Sequence, residues 1–139
     1  FKYSDERRSR AIADSILKMR PIKNVFELVE AIRKSTPPKN RDKTLARVFQ
    51  AVRILVNNEL SILENFLSEF CNQLSVGGRI VFISFHSLED RIVKHALKDL
   101  SLKKKMKILT KKPLCPSPEE NLSNRRSRSA KLRAAERIL

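Results

Sequence analysis

Glycine is nearly absent from this sequence. There are two in 139 residues, and they are adjacent, Gly77-Gly78. A backbone that wraps a phosphate or an adenosyl group needs several glycines for close approach. The chain therefore carries no such loop: either the protein binds no such cofactor, or the part that does lies elsewhere. Cysteine is as scarce. Cys71 and Cys115 stand far apart, with no CxxC and no histidine cluster. That favours free thiols in a reducing compartment over a disulfide framework, and it offers no metal-ligand spacing. The longest uncharged apolar run, residues 80–85, is too short to cross a bilayer. Asp5, Glu6 and Asp14 among the leading arginines make a poor transit peptide. Phe1 stands where a start methionine is expected, which predicts a fragment or a processed form. No internal repeat is present.

What the chain has in excess is positive charge. Thirty Lys or Arg against 15 Asp or Glu give a formal charge of +15, which points to an anionic partner, nucleic acid or an anionic membrane surface. The 41% of hydrophobic residues allows a buried core and argues against wholesale disorder. The charge is uneven: residues 1–60 carry 14 basic and 7 acidic groups, residues 61–100 carry 4 and 5, and residues 101–139 carry 12 and 3. A near-neutral middle between basic flanks reads as a structural core with a binding footprint on either side.

The first flank has helical periodicity. Ile12, Ile16 and Met19 predict a helix over 5–19, with Asp5 and Glu6 in its first turn and Pro21 at its end. Asn24 and Glu27 stand in capping-box positions for a second helix with apolar face Val25, Leu28, Val29 and Ile32, stopped by Pro37-Pro38. A third begins near Lys43, with Leu45, Val48, Phe49, Val52 and Leu55 on one face. Helical spacing then runs on to Leu74, with a break and a domain boundary expected near Asn57-Asn58. After the Gly77-Gly78 turn the period changes. RIVFISF (79–85) reads as a strand buried on both faces, as in a parallel sheet. A helix over 88–100 follows, with Ser87 a plausible N-cap and Glu89 and Asp90 complementing its dipole. Residues 107–110 suggest a short strand, 119–121 a helical turn, and 131–138 a final strand or helix, with local propensity favouring helix. The fold class is α/β.

Ligands in open α/β sheets bind beyond the carboxyl ends of the strands. There the sequence places Phe85, His86 and Ser87. Phe85 is able to stack on a base, and His86 to donate, accept or act as a base. On the bland reading Ser87 only caps a helix. Candidate phosphate contacts are Arg47, Gln50 and Arg53 on the third helix, Lys111 and Lys112 after the short strand, and Arg125, Arg126 and Arg128 in an arginine-rich loop running into Lys131. Lys103, Lys104 and Lys105 read as a solvated loop.

Four motifs carry a family resemblance: RVFQAVRILVNNEL (47–60), GGRIVFISFHSLEDRIVK (77–94), LTKKPLCPSPEE (109–120) and NRRSRSAKLRAAER (124–137). Together they resemble the small-subunit ribosomal RNA cytidine-N4 methyltransferases, the MraW/RsmH family, and their mitochondrial relatives. YSDERRSRAIADSILKMRPI (3–22) is similar to the start of that family's helical insertion, with Ser4 and Asp5 in place of its usual Gly and Glu. The resemblance implies the C-terminal part of a Rossmann-like S-adenosylmethionine-dependent methyltransferase sheet plus an all-α insertion domain. Residues 1–57 would be a partial helical insertion serving RNA recognition, and 58–139 the last part of the methyltransferase domain. It implies a parallel RIVFISF strand and an antiparallel final strand, hence a strand over 131–136. It implies S-adenosylmethionine held by an N-terminal half, whose Gly-Gly-His turn and Asp-Leu-Gly-x-Ser-Ser segment are not in this sequence. It also implies a small-subunit ribosomal RNA substrate, no membrane, and cytoplasmic or mitochondrial-matrix location. The alternative is a non-catalytic basic RNA-binding or ribosome-assembly module.

Overall fold

The computed structural model describes residues 2–139; Phe1 lies outside the described residues. The chain divides into two compact units, Phe1–Glu59 and Leu60–Leu139.

The first unit is helical: α1 (Ser9–Lys18), α2 (Val25–Lys34), a 3-10 turn (Pro38–Asn40) and α3 (Arg41–Asn57). α1 starts later than its periodicity predicts and has no acid in its first turn. The reason is Glu6. Its carboxylate is buried and accepts from the Arg8 backbone N–H at 3.1 Å, Thr44 Oγ1 at 3.3 Å and Arg47 at 3.3 Å, which holds the chain in a turn ahead of the helix. α2 begins where the capping pattern places it. Asn24 accepts from the Glu27 N–H at 3.0 Å, while Glu27 Oε2 accepts from the Lys23 N–H at 2.7 Å. It buries Ala31 and Ile32 and leaves Val25 exposed, because Ser15 Oγ of α1 donates to the Ala31 carbonyl at 2.6 Å and sets which side of α2 faces α1. α3 likewise buries Thr44 and Ile54 rather than the predicted Leu45–Leu55 stripe, with Thr44 drawn inward by Glu6. Its C-cap, Asn58, is left-handed at φ 52°, a conformation asparagine tolerates, and α4 (Glu59–Gln73) starts directly after it.

The second unit is layered. β1 (Arg79–Ser84), β2 (Met106–Ile108) and β3 (Lys131–Arg137) form a sheet in the order β1-β3-β2, and β3 runs antiparallel to both neighbours. β1 and β2 therefore run in one direction with the last strand inserted between them. Local helical propensity at Ala134-Ala135-Glu136 loses because a central strand gains hydrogen bonds on both edges. Ala135, fully buried, stands opposite Ile80 on one side and Ile108 on the other.

One face of this sheet is covered. Leu67, Phe70 and Cys71 of α4 and Val93 and Leu97 of α5 (Ser87–Leu102) form one core with Met106 and Ala135, joined by Ile80 and Phe82. Phe66, Phe70 and Phe82 contact one another with centroids 5.6–6.2 Å apart. The alternate residues of β1 are not covered: Val81 is 56% and Ile83 58% exposed. The expectation of burial on both faces thus fails within this chain. β1 is an edge strand here, packed on one side only. At its start, Gly77 takes φ 81°, and a Cβ on Gly78 would lie 2.8 Å from the Ser75 carbonyl oxygen, so this tight turn requires the glycine pair. Arg137 closes the end of α4 by donating to the carbonyls of Cys71 and Leu74. Cys71 and Cys115 are free thiols.

Candidate active site and nucleic-acid surface

The turn after β1 is set by its own side chains. His86, not Ser87, is the N-cap of α5: its Nδ1 accepts from the Glu89 N–H at 3.3 Å. Glu89 Oε2 reaches back to accept from the N–H groups of Phe85 at 2.9 Å and His86 at 3.4 Å, completing a capping box. Ser87 fails as the cap because it already holds the first helical position, where it is exposed. With Nδ1 accepting, the proton of a neutral imidazole sits on Nε2. Nε2 is buried, lies 3.3 Å from Glu89 Oε1, and is outside hydrogen-bond geometry. His86 is thus committed to the turn. Burial pushes the Glu89 carboxyl up, but the His86 ring and the two backbone donors outweigh it and hold it below its ordinary value. Phe85, 54% exposed, continues the uncovered alternation of Val81 and Ile83.

Asp90 locks this turn to the sheet. Its two oxygens accept from Arg133 of β3 at 2.7 and 3.2 Å, and acid and arginine are only 9% and 8% exposed. Lys131 Nζ lies 3.6 Å from the same carboxylate. The Arg133 bond, opposed by burial and aided by Lys131, lowers the Asp90 pKa. Sequence reasoning took Asp90 for a dipole-complementing acid and missed this pair. The visible signal was Arg133, an arginine at an inward position of an alternating strand, which needs a buried acid as partner.

The strand register gathers most of the other candidates of this unit at the same end of the sheet. Lys131 stands opposite Ser84, the last residue of β1. Its ammonium is shared with Asp90, so only part of its charge is free for another anion. Arg125, Arg126 and Arg128 lie directly ahead of it. They form an ordered 3-10 turn (Arg125–Ser129) instead of the predicted loop, because the Asn124 side chain accepts from the Arg126 N–H at 3.2 Å, and buried Ser127 donates to the Asn124 carbonyl at 2.8 Å. All three arginines are exposed. The segment after β2 runs alongside β3, tied by Ala134 N–H to Thr110 Oγ1 at 2.9 Å and by a bridge between Leu114 and Leu132. That carries exposed Lys111 and Lys112 toward the carboxyl end of β1.

The candidates of the first unit are less free. Arg47 is bound to Glu6 at 3.3 Å, and Arg53 makes a bidentate pair with Glu59 at 2.8 and 3.0 Å, with Gln50 half-buried between them in sequence. Burial alone would raise the Glu6 pKa. The Arg8 N–H, Arg47 and Thr44 together lower it.

The glycine pair does not build a loop around S-adenosylmethionine. Gly77 and Gly78 lie at the amino end of β1, away from the His86 turn, and Gly78 serves the turn backbone. They make no cradle for an adenosyl group.

The sequence matches the MraW methylase family over residues 1–138. It is 53% identical over 142 residues to the ribosomal RNA small subunit methyltransferase H of Rippkaea orientalis, covering 100% of this chain and 46% of that protein. The protein of the same name from Nostoc punctiforme is also 53% identical, with 100% and 47% covered. That of Thermosipho africanus is 52% identical, with 99% and 47% covered. The chain spans about half the length of the curated relatives it matches.

Proposed function

Because this chain belongs to the MraW methylase family, we propose that it is the C-terminal part of an S-adenosylmethionine-dependent methyltransferase acting on N4 of a cytidine in small-subunit ribosomal RNA. Residues 1–57 are then a partial helical insertion for RNA recognition, and 58–139 the last part of the catalytic domain. The methyl donor is held by the portion of the whole protein that this chain does not span. The work takes place where small subunits are assembled, the cytoplasm or a mitochondrial matrix. No helix among the described residues is long and apolar enough to cross a membrane.

The observation that carries the reading is the turn at residues 85–89. A capping box holds an exposed Phe85 at the end of β1, on the end of the sheet where the cations collect. The chemistry explains the need. The N4 lone pair of cytosine is delocalised into its ring, so N4 is a weak nucleophile, and its alignment with the methyl group decides the rate. The base must first leave its stack. Phe85 offers an apolar ring for the extruded base. Ser87 offers a hydroxyl beside it. His86 acts as a positioning residue through the Glu89 carboxylate that fixes the Phe85 backbone. Lys111, Lys112, Arg125, Arg126 and Arg128 hold phosphates, with Arg47, Arg53 and Lys131 contributing what their acidic partners leave.

The test is methyl transfer to small-subunit ribosomal RNA by the full-length protein. Phe85→Ala is expected to lower kcat/KM by about a hundredfold, the cost of misplacing the reacting atoms, with little change in stability. Wild-type turnover in that variant overturns the role of Phe85. A wild-type protein that binds the RNA and transfers no methyl group overturns the enzyme reading in favour of a basic RNA-binding or assembly module.

A further inference from the structure

The first unit contains a polar cavity of about 580 Å³ that the candidate residues above touch only through Arg47. Arg7 and Arg8 enter it from the turn ahead of α1, and Asn40, Lys43, Thr44 and Arg47 from the start of α3. Among the described residues, none that lines it is apolar. Its acids are Asp5 and Glu6, so the formal balance is two net positive charges. Glu6 is spent internally. Its buried carboxylate takes the Arg8 N–H, Thr44 and Arg47, and remains anionic below the ordinary carboxylate range. It works as a clasp between the turn and α3, and the clasp forces Arg7, Arg8, Lys43 and Arg47 into one rim. Arg7 and Lys43 are exposed, and neither has a carboxylate partner among the described residues. Asn40 precedes α3 without capping it through its side chain, which leaves its amide available to a ligand.

Like charges gathered this way repel one another, and the arrangement is relieved by an anion. Guanidinium forks match phosphate oxygens in pairs, and lysine adds a mobile point charge. The volume lies within the range of small-ligand sites, room for a nucleotide unit and more than a bare ion needs. We propose that this cavity is a phosphodiester-binding site for the RNA substrate, with Arg7, Arg8 and Lys43 as contacts and Glu6 as the residue that assembles them. The identification of the ligand as RNA rests on the methyltransferase reading above.

The experiment compares full-length wild-type protein with an Arg7→Ala/Lys43→Ala double variant, measuring RNA affinity against salt concentration. Both residues are exposed and stand outside the Glu6 clasp, and an unchanged thermal midpoint verifies the fold. Each lost phosphate contact lowers the salt slope by about 0.7 to 0.9, and the pair weakens binding on the order of tenfold at 0.1 M salt. Unchanged affinity and slope overturn the proposal, as does weaker binding at an unchanged slope, which would mean the contacts are not to phosphate. Glu6→Gln is expected to reproduce the loss. If the double variant unfolds, Lys43→Gln alone carries the same test with one contact's worth of slope. Wild-type protein that binds RNA with this slope and transfers no methyl group refutes the enzyme reading and leaves the site standing.

Discussion

Asp90 and Glu6 are both buried acids that tie distant segments together, one in each unit, and they do so against different backgrounds. Around Asp90, α4, α5 and the sheet share one contiguous apolar cluster, and the partner arginine is as buried as the acid. Around Glu6 the described apolar burial is thinner, Ile12, Ala31, Ile32 and Ile54, while Phe26 of α2 is 84% exposed and Val52, Leu55 and Val56 of α3 are exposed as well. Glu6's arginine partner, Arg47, keeps half of its side chain in solvent. In the layered unit, apolar packing chooses the faces and the ion pair adds a lock. In the helical unit, polar contacts choose which faces turn inward. The same residue chemistry therefore serves two ends: a bolt that aims the His86 turn, and a clasp that gathers cations.

The largest expected effect comes from breaking the bolt. Arg133→Ala leaves Asp90 buried without its partner and should cost about 3–5 kcal/mol. Arg47→Ala, at a half-exposed pair, should cost no more than about 1 kcal/mol. Denaturant unfolding of the full-length variants checks this, with hydrogen exchange reading the two regions separately. Equal costs would erase the distinction between them.

Next in size are the helix caps, which probe local structure independently of the core. Asn24→Ala in the first unit and His86→Ala in the second should each cost about 0.5–2 kcal/mol, seen as faster exchange in α2 and α5 respectively. His86→Asn supplies another capping side chain and should recover most of the loss. If it recovers stability and not methyl transfer, the imidazole has a role beyond the cap.

The smallest effect is the acid response. Asp90, Glu89 and Glu6 all have lowered pKa values in the fold. Their stabilisation is fully present above the unfolded carboxylate values near about 4. It declines as pH falls through that range and is lost once pH passes the lower folded values. Arg133→Ala removes the main cause of the Asp90 shift and should flatten this acid limb in Leu60–Leu139 alone. A matching change in the first unit would show that the two acids are coupled.

Elements dominated by local signals were readable from sequence. Asn24 and Glu27 mark the start of α2, Asn58 the break after α3, and Gly77-Gly78 the turn into β1, because each works through its own backbone and near neighbours. The helix faces were less readable. Periodicity names apolar stripes, and long-range polar contacts from Glu6 and Ser15 decided which stripes turn inward. At the candidate site, the strand-end logic named Phe85 and His86 as candidates, and the charge runs named the cation clusters. The cap at His86, the bidentate hold of Arg133 on Asp90 and the cavity at Arg7 and Lys43 were not legible there, since each joins residues 36 or more positions apart or turns on which of two neighbours adopts the cap conformation.

The sequence by itself determined the charge layout, the boundaries marked by Asn24, Asn58 and Gly77-Gly78, and the family, all carried by composition or short contiguous motifs. The family resemblance anticipated a strand over 131–136 against local helical propensity; only the tertiary structure decided its central place in the sheet, that β1 is covered on one face, and which cations are neutralised. Those outcomes depend on hydrogen bonds and ion pairs between segments far apart in the chain, and such energies exist only once the segments have met.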